Sequence, residues 1–332
     1  MTTTIEPEAG PATSTQLNRE RIAGLTQTYG AALVLVILLV VGSIAFPTFA
    51  TPTNFANIAT QSSFLMIVAA GMTFVILTGG IDLSVGSVFA LGGVLAAYGS
   101  TWGPLGAIAL PLIVCGAIGA LQGTLVAYVN MPPFIVTLAG LLGVRGLVLA
   151  ITEGGSNTPL ITDEVVIGIG QDGVFGLKWP VFIALAVIVI GTLLLARTTG
   201  GQSVLAVGGS ESAATLMGLP VARVKFSVYV ISGLCAGLAG ALNAAYSSSG
   251  VPTVGVGLEL NAISAVVIGG TLLVGGRGNL IGTVAGVLLL SVIQNLINQV
   301  GSLSSSVQSV VSGAFLAVVV IIQTVLSRTQ RL

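Results

Sequence analysis

The stretch GGIDLSVGS, residues 79–87, places a single carboxylate, Asp82, inside a long apolar segment. An ionised carboxylate in apolar surroundings is costly unless hydrogen-bond donors or an opposite charge replace the lost water. The Gly79-Gly80 pair weakens the helix before Asp82, and Ser84 can begin the next one. We predict a helix break here, with Asp82 accepting backbone amide bonds at the start of the following helix. Direct contact with a polar solute is the alternative.

Arg145 is a second ionisable residue within an apolar segment. Its long side chain can reach a polar boundary or pair with Glu153 or Asp82, so we predict an ion pair that locks helices together, with a solute ligand as the alternative. Side-chain amides can either bind a polar solute or join two helices. Both roles stay open for the amides of the later apolar segments, which are Asn243, Asn261, Gln294, Asn295 and Asn298.

The chain contains no histidine and no GxxxxGK[ST] segment. The first absence excludes Ser-His-Asp triads and HExxH metal sites, and the second excludes a Walker loop for nucleotide phosphates. Cys115 and Cys235 lie in apolar runs, where small buried hydrophobes are expected. We therefore predict no catalytic residue, no metal site and no cofactor in this chain. Its 10 basic and 10 acidic residues give zero net charge, which argues against nucleic-acid binding.

The elements that must position these residues are membrane spans. Hydrophobic residues make up 54% of the 332 residues and charged residues 6%, and the mean hydropathy is +1.08. This composition is typical of an integral membrane protein. Because about 20 apolar residues cross a bilayer, we predict an all-α polytopic membrane helical bundle of about ten transmembrane helices. The predicted spans lie near 29–48, 60–78, 84–102, 105–128, 134–152, 179–196, 226–246, 258–275, 281–299 and 308–327.

The distribution of basic residues predicts the orientation of these spans. A cytoplasmic N-terminus leaves only Lys178 outside, in agreement with the positive-inside rule. We expect a cytoplasmic tail over 1–28, one transmembrane domain over 29–327, and a cytoplasmic tail over 328–332. The basic residues then placed inside are Arg19, Arg21, Arg197, Arg223, Lys225, Arg277, Arg328 and Arg331.

Two connections between the spans stand out by length. The predicted external loop, 153–178, is acidic and carries Asp163, Glu164 and Asp172. The predicted internal loop, 197–225, is too polar to cross a membrane and carries its own helix signals.

Within that internal loop, Ser210 is a suitable N-cap and Glu211 suits the positive end of a helix dipole. The segment ESAATLM that starts at Glu211 favours a helix, which Gly218 and Pro220 would end. We predict a short helix from Glu211 to Met217 lying on the cytoplasmic face.

Glycine is abundant, at 46 residues, and often closely spaced within the spans. In SGLCAGLAG, residues 232–240, we expect the glycines to let helix backbones approach closely in lipid. The pair Gly79-Gly80 is followed by Gly86, and the pair Gly275-Gly276 is followed at the same spacing by Gly282. This pattern is consistent with an internal repeat of the kind found in transporters, or with chance.

Four segments together resemble the permease subunits of bacterial ABC sugar importers of the ribose, xylose, arabinose and galactose type. They are GGIDLSVGSVFALGG (79–93), PPFIVTLAGLLGVRGL (132–147), GGSESAATLMGLPVARVKFSVYVISGLCAGLAG (208–240) and GLELNAISAVVIGGTLLVGGRGNLIGT (257–283). The resemblance covers most of residues 60–300. The chain departs from the usual family residues at Ser210, Met217, Asn261 and Ser264.

The resemblance implies an importer of a small sugar, a pentose or hexose, in the bacterial inner membrane. Two permease chains, identical or different, would form the pathway, two cytoplasmic ABC ATPases carrying ATP and Mg would drive it, and an extracytoplasmic binding protein would deliver the sugar. In such machines a permease helix seated on the ATPase transmits its movement. The implied coupling residues are Ser210, Glu211, Ser212, Ala213, Ala214, Thr215, Leu216, Met217, Gly218 and Arg223.

Further sites follow from the same resemblance. The acids Asp163, Glu164 and Asp172 would form a docking surface for the binding protein, with a merely solvated loop as the alternative. The pathway and helix-break residues would be Gly79, Gly80, Asp82, Ser84, Arg145, Glu259 and Asn261.

Other functions remain in competition at this stage. An ion-coupled secondary transporter would use Asp82 as a proton or sodium site. An ABC importer for a branched-chain amino acid or a signalling furanose shares the general plan. A membrane enzyme would need a pair of catalytic carboxylates or a nucleophile with its base, and the spans offer neither.

Overall fold

Helices make up nearly all of the regular structure in the part of the chain that the computed structural model describes, which is residues 31–300 with 310, 313 and 314. The helices of residues 31–300 are α1 Ala31–Ala45, α2 Pro52–Leu77, α3 Val85–Gly99, α4 Pro104–Ala127, α5 Pro133–Ile151, α6 Glu164–Gln171, α7 Trp179–Arg197, α8 Thr199–Gly209, α9 Glu211–Leu216, α10 Val221–Ser247, α11 Leu258–Ile268 and α12 Leu280–Val300. Two short strands, β1 Gly173–Val174 and β2 Leu177–Lys178, form a hairpin between α6 and α7.

Seven of the described helices are long and apolar enough to cross a membrane: α2, α3 with its 3₁₀ extension to Trp102, α4, α5, α7, α10 and α12. Helices α1 and α11 are apolar but shorter. The predicted polytopic helical membrane bundle is therefore confirmed. The predicted span over 308–327 and the predicted tails over 1–28 and 328–332 lie outside the described residues, apart from the three isolated positions named above.

Helix α2 forms the centre of the bundle. In its most apolar window 94% of the residues are buried, against 28%, 22% and 28% for α4, α5 and α7. Helices α10, α12, α7 and α11 pack around α2, and α10 also contacts α3 and α4 over much of its length. The apolar outer faces of α4, α5 and α7 are left for lipid or for another membrane chain.

Glycine contacts hold α10 close to its neighbours. A Cβ at Gly233 would overlap the carbonyl oxygen of Cys115 in α4, and one at Gly240 would overlap that of Phe89 in α3. Backbones meet directly at these crossings because no side chain separates them. The structural role expected for the glycines of residues 232–240 is confirmed.

Helix α11 departs most from the expected spans. It ends at Ile268 rather than near residue 275, and residues 269–279 form a loop with positive φ at Gly270, Gly275, Gly276 and Gly278. A helix of 11 residues spans only about 16 Å, so α11 crosses about half of the bilayer. Part of the loop backbone is paired within the loop, as in Leu272 N–H to Arg277 O at 3.0 Å, and part with α2, as in Gly276 N–H to Leu77 O at 2.9 Å.

Three further boundaries differ from the sequence prediction. Helix α2 begins at Pro52, where Thr51 is the N-cap and proline occupies the first turn, a signal that hydropathy alone does not register. The internal connection 197–225 is almost entirely helical, because α8, α9 and the first residues of α10 lie within it. The connection 153–178 is likewise structured and holds α6 and the hairpin.

Candidate functional site

Two helix breaks and the end of α8 that precedes α9 meet near the protein surface, where Leu77 is buried, Gly208 is half-buried and Gly79 is exposed. The first break, residues 78–84, joins α2 to α3, and the second, residues 269–279, joins α11 to α12. Gly276 N–H donates to the carbonyl oxygen of Leu77 at 2.9 Å. A Cβ on Gly208 of α8 would overlap that same oxygen, and one on Gly275 would lie 2.7 Å from Gly79 N. We call this contact of Leu77–Gly79, Gly208 and Gly275–Gly276 the glycine junction.

The two breaks are built alike, as the repeated glycine pattern suggested. Each break contains a glycine pair that lies at the junction, and each is followed by a membrane-spanning helix, α3 or α12. In each, a short polar side chain accepts an amide bond at the start of the outgoing helix: Asp82 Oδ1 from Ser84 N–H at 2.9 Å, and Asn279 Oδ1 from Gly282 N–H at 2.6 Å.

Asp82 is fully buried and is held by protein donors on both carboxylate oxygens. Oδ1 accepts from the backbone N–H and from the hydroxyl of Ser84, at 2.9 and 2.7 Å, and Oδ2 accepts from the hydroxyl of Ser232 in α10 at 2.7 Å. Two of the three donors are therefore hydroxyls, whereas the sequence suggested helix amides alone. The formal N-cap of α3 is Ser84, which makes no side-chain capping bond itself.

Gln122 of α4 completes this polar cluster. Its Oε1 lies 3.2 Å from Ser84 Oγ, and its buried Nε2 has no partner. The single hydroxyl proton of Ser84 is already directed to Asp82, so exchanging the amide oxygen and nitrogen of Gln122 would let it donate to Ser84. We assign the amide that way round. Sequence reasoning missed Gln122 and Ser232, although Gln122 is the only amide in α4.

Arg145 binds backbone carbonyls instead of a carboxylate, so the expected ion pair with Glu153 or Asp82 is wrong. Its Nη1 donates to Pro252 O and Val254 O, both at 3.0 Å. These carbonyls belong to the loop of turns before α11, where the backbone oxygens are not used by a helix. Arg145 thus fixes that loop to α5.

Glu259 and Asn261 lie in the first turns of α11 and are both half-buried. A Cβ on Gly86 of α3 would overlap Glu259 Oε2, so this glycine makes room for the carboxylate. The negative charge of Glu259 attracts the Arg145 guanidinium from a distance. Among the described residues, the two charged groups do not come within the 4.0 Å of an ion pair. Asn261 faces a different feature, a cavity of about 300 Å³.

The cavity lies between α2, α3, α10, α11 and α12, toward the end of the bundle that carries α6. Its polar lining combines amides with the hydroxyl of Ser291, and three aromatic rings complete it. Of the amides singled out in sequence, Asn243, Asn261, Gln294 and Asn295 line it, and Asn298 does not. Gln61 also lines it and was missed, although an amide inside the apolar helix α2 was a visible signal.

Helix α9 projects from the opposite end of the bundle. Ser210 is its N-cap and accepts from Ala213 N–H at 3.3 Å, and Gly218 follows its last turn with φ of 78°. Leu216 and Met217 are 89% and 69% exposed. Ser212, Ala213, Thr215 and Arg223 are exposed as well.

Two residues of α9 differ from the expected arrangement. Ala214 is fully buried against its own chain, so it anchors α9 and is not available to a partner. Glu211, one of the implied coupling residues, forms an ion pair of 2.7 Å with Lys225 of its own chain, at the start of α10. The remaining exposed apolar surface of α9 is that of Ala213, Leu216 and Met217.

The acidic residues at the α6 end have distinct positions. Asp163 caps α6 by accepting from Val165 N–H and Val166 N–H at 2.9 and 3.1 Å. Glu164 and Asp172, at the two ends of α6, are exposed. Phe175 at the hairpin tip is 95% exposed and adopts φ of 57°, a conformation unusual for a bulky residue.

A bundle of apolar spans with paired helix breaks and a small exposed helix beside them is the architecture of a multi-pass membrane protein, and the family match below makes it a transport permease. The chain belongs to the family described as the permease component of branched-chain amino acid transport systems, which it matches over residues 54–320.

Several characterised permeases resemble the chain over nearly its whole length. It is 40% identical to the ribose import permease of Bacillus subtilis strain 168, covering 93% of this chain and 96% of that protein. It is 34% identical to the fructose import permease of Bifidobacterium longum NCC 2705, covering 97% and 96%. It is 37% identical to the L-arabinose transport permease of Escherichia coli K12, covering 91% and 92%. No solved structure matches the chain.

Proposed function

We propose that this chain is the membrane-spanning permease subunit of an ATP-driven, binding-protein-dependent importer of a small sugar, a pentose or hexose. The relatives named above are permeases for ribose, fructose and arabinose, and they match nearly all of the chain. The observation that carries a coupled mechanism is the glycine junction, because it ties α8, and through it the exposed α9, to both helix breaks.

Helix α9 is the proposed contact with a cytoplasmic ABC ATPase. Leu216, Met217 and Ala213 give it an apolar surface that an ATPase groove can cover, while Ala214 and the Glu211–Lys225 pair hold it to its own chain. Helix α8 follows rigidly, since only Ser210 separates the two helices. Movement of α9 would therefore displace Gly208 and, through the junction, the breaks at Gly79 and Gly275.

The energy source lies on the partner in this proposal. ATP and Mg bind the ATPase subunits, and the permease supplies the pathway without a cofactor of its own. The chain sits in the bacterial inner membrane with both termini in the cytoplasm, as one permease domain from 29 to 327. The positive-inside rule supports this orientation, because the α8–α9 end carries Arg197, Arg223 and Lys225.

The α6 end is the proposed docking surface for the extracytoplasmic binding protein. Glu164 and Asp172 supply negative charge, and Phe175 presents a fully exposed aromatic ring at the hairpin tip. Exposed aromatic rings are common anchors of protein interfaces. Asp163 contributes by capping α6 and thereby holds Glu164 in place.

A second permease chain completes the proposed pathway. Helix α5 leaves Gly143 and Gly146 facing open space, and only 22% of its most apolar window is buried, so a further membrane chain can pack there. The partner is a second copy or a different permease.

The alternatives considered from sequence receive less support. An ion-coupled transporter would need Asp82 to bind a proton or cation, whereas both of its oxygens already accept bonds from Ser84 and Ser232. An importer of branched-chain amino acids would share the family, but the relatives named above carry sugars in their names.

Reconstitution tests the proposed function. Proteoliposomes contain the permease with its ATPase, and ATP is supplied on the side of the membrane that the ATPase faces. Binding protein loaded with labelled D-ribose, D-fructose or L-arabinose is supplied on the opposite side. We expect accumulation of one of these sugars against its gradient. The permease alone should accumulate none, and accumulation without ATPase or nucleotide would refute the proposal.

A further inference from the structure

The cavity of about 300 Å³ near the α6 end has a lining that suits one class of solute. Gln61 of α2, Asn243 of α10, Asn261 of α11 and Gln294 of α12 direct side-chain amides toward a common space. None of these four amides has a hydrogen-bond partner within the described residues. Gln61 is exposed and the other three are half-buried, so a solute that enters the cavity can reach the donors and acceptors of all four amides.

A neighbouring amide provides the contrast. Asn295 lies at the cavity edge, but it pairs with Asn54 through two bonds of 2.8 and 3.1 Å and so joins α12 to α2. The Asn54–Asn295 pair shows how side-chain amides join two helices in this chain. The four unpaired amides are not explained by helix association.

Aromatic rings complete the lining. Phe64 and Tyr246 lie with ring centroids 5.8 Å apart at an angle of 50°, and Phe89 contributes a third ring. Rings of this kind cover apolar C–H faces, while amides donate to and accept from hydroxyl groups. No charged side chain is among the described residues that line the cavity.

We propose that this cavity, formed within a single permease chain, binds the sugar as it leaves the binding protein. Neutral amides beside aromatic rings, without a charge, fit an uncharged polyhydroxyl solute and disfavour an amino acid, whose ammonium and carboxylate would stay unpaired. The volume is at the lower end for small-molecule sites, which suits one monosaccharide. The assignment rests on the proposed function and specifies where in the chain the cargo is held.

Such a site is expected to be weak. Each neutral hydrogen bond contributes a few-fold to affinity, and a pathway must release the sugar after taking it up. Saturation-transfer NMR detects binding of this strength. The sample is the purified permease–ATPase complex in nanodiscs without binding protein, and the probes are D-ribose, D-fructose and L-arabinose, with L-leucine as the charged comparison.

We expect saturation transfer to at least one sugar and none to L-leucine. Gln294→Leu should raise the dissociation constant by about 2- to 10-fold, and Gln294→Leu with Asn243→Leu by more. Asn298→Leu is the matched control, because Asn298 lies one turn further along α12, is exposed and does not line the cavity. Gln294→Asn, which keeps an amide, should retain saturation transfer and excludes a folding defect as the cause.

Equal affinity in Gln294→Leu and Asn298→Leu would overturn the cavity assignment, as would saturation transfer to L-leucine or to no sugar. Sugar uptake by the wild-type proteoliposomes separates this failure from a failure of the proposed function. If the wild type accumulates sugar and the cavity variants do so at the same rate, the importer stands and the site within it is wrong.

Discussion

Asp82 and Arg145 are each held by a partner from a distant segment of the chain. The Asp82 carboxylate joins α3 to α10 through Ser232, and Arg145 joins α5 to the loop before α11. Each of these two residues therefore holds two separate segments of the chain together. Removing either one affects a contact between segments more than 100 positions apart in the sequence.

Substitution of Asp82 separates hydrogen bonding from charge. Asp82→Asn keeps an oxygen for Ser84, and the Ser232 hydroxyl can turn to accept from the new amide. Asp82→Leu removes the acceptor of the Ser84 amide and of the Ser232 hydroxyl, while Ser84 Oγ keeps Gln122 as a partner, and this lowers the free energy of unfolding by about 2 kcal/mol or more. Thermal unfolding of the purified variants checks this. Equal midpoints for Asn and Leu would show that these bonds do not stabilise the break.

Substitution of Arg145 tests its role in holding a loop. Arg145→Met removes two charge-assisted bonds, to Pro252 O and Val254 O, which costs about 2 kcal/mol at this half-buried site. We expect faster amide hydrogen exchange in residues 251–257 and unchanged exchange in α2. Unchanged exchange in the loop would mean that other contacts hold it.

At the scale of elements, α8 connects the exposed α9 to the two helix breaks. Gly208 is in contact with both helix breaks, whereas the space beyond the adjacent Gly209 is open. These two glycines make a matched pair for testing the connection.

Gly208→Ala should disturb coupling while Gly209→Ala does not. The new Cβ at 208 overlaps the Leu77 carbonyl oxygen and shifts α8 at a cost of about 1–3 kcal/mol. We expect ATP hydrolysis to continue in the assembled complex while sugar transport falls. Full transport by Gly208→Ala, measured beside Gly209→Ala in proteoliposomes, would remove the junction from the mechanism.

The hairpin offers a second test at this scale. Its two turn residues, Phe175 and Gly176, have φ of 57° and 79°, and Asn-Gly is the preferred pair for such a turn. Phe175→Asn therefore keeps the hairpin and removes the exposed ring. We expect the binding-protein concentration for half-maximal ATPase stimulation to rise about 10-fold. Phe175→Tyr, which keeps a ring, is the control, and an unchanged concentration for Phe175→Asn would exclude this docking contact.

At the scale of the whole molecule, the two ends of the bundle should face opposite sides of the membrane. Phe175→Cys and Met217→Cys place thiols at the hairpin tip and on α9, both strongly exposed. A membrane-impermeant maleimide should label Phe175→Cys in intact cells and Met217→Cys only after the cells are opened. The unsubstituted chain is the control, since Cys115 is buried and Cys235 partly buried. The reverse labelling pattern would invert the topology.

The sequence predicted the positions of the membrane spans better than the contacts between them. Most span positions followed from hydropathy, and the helix break at Gly79-Gly80 followed from glycine and Asp82. The early end of α11 was missed, because residues 269–275 are apolar enough to continue a span while their glycines allow a packed loop. The partner of Arg145 was missed because a backbone carbonyl leaves no mark in the sequence.

The sequence by itself determined that the protein lies in a membrane and crosses it many times with helices. It also excluded catalysis that depends on histidine, because the chain has none. These properties follow from composition and local order, since the transfer of apolar side chains from water adds up along the chain. Only the tertiary structure decided that Ser232 and Gln122 complete the Asp82 site, that Gly208 joins two helix breaks, and that four unpaired amides share one cavity. Such contacts depend on how helices far apart in sequence pack, and that arrangement is set by the whole bundle rather than by any one segment.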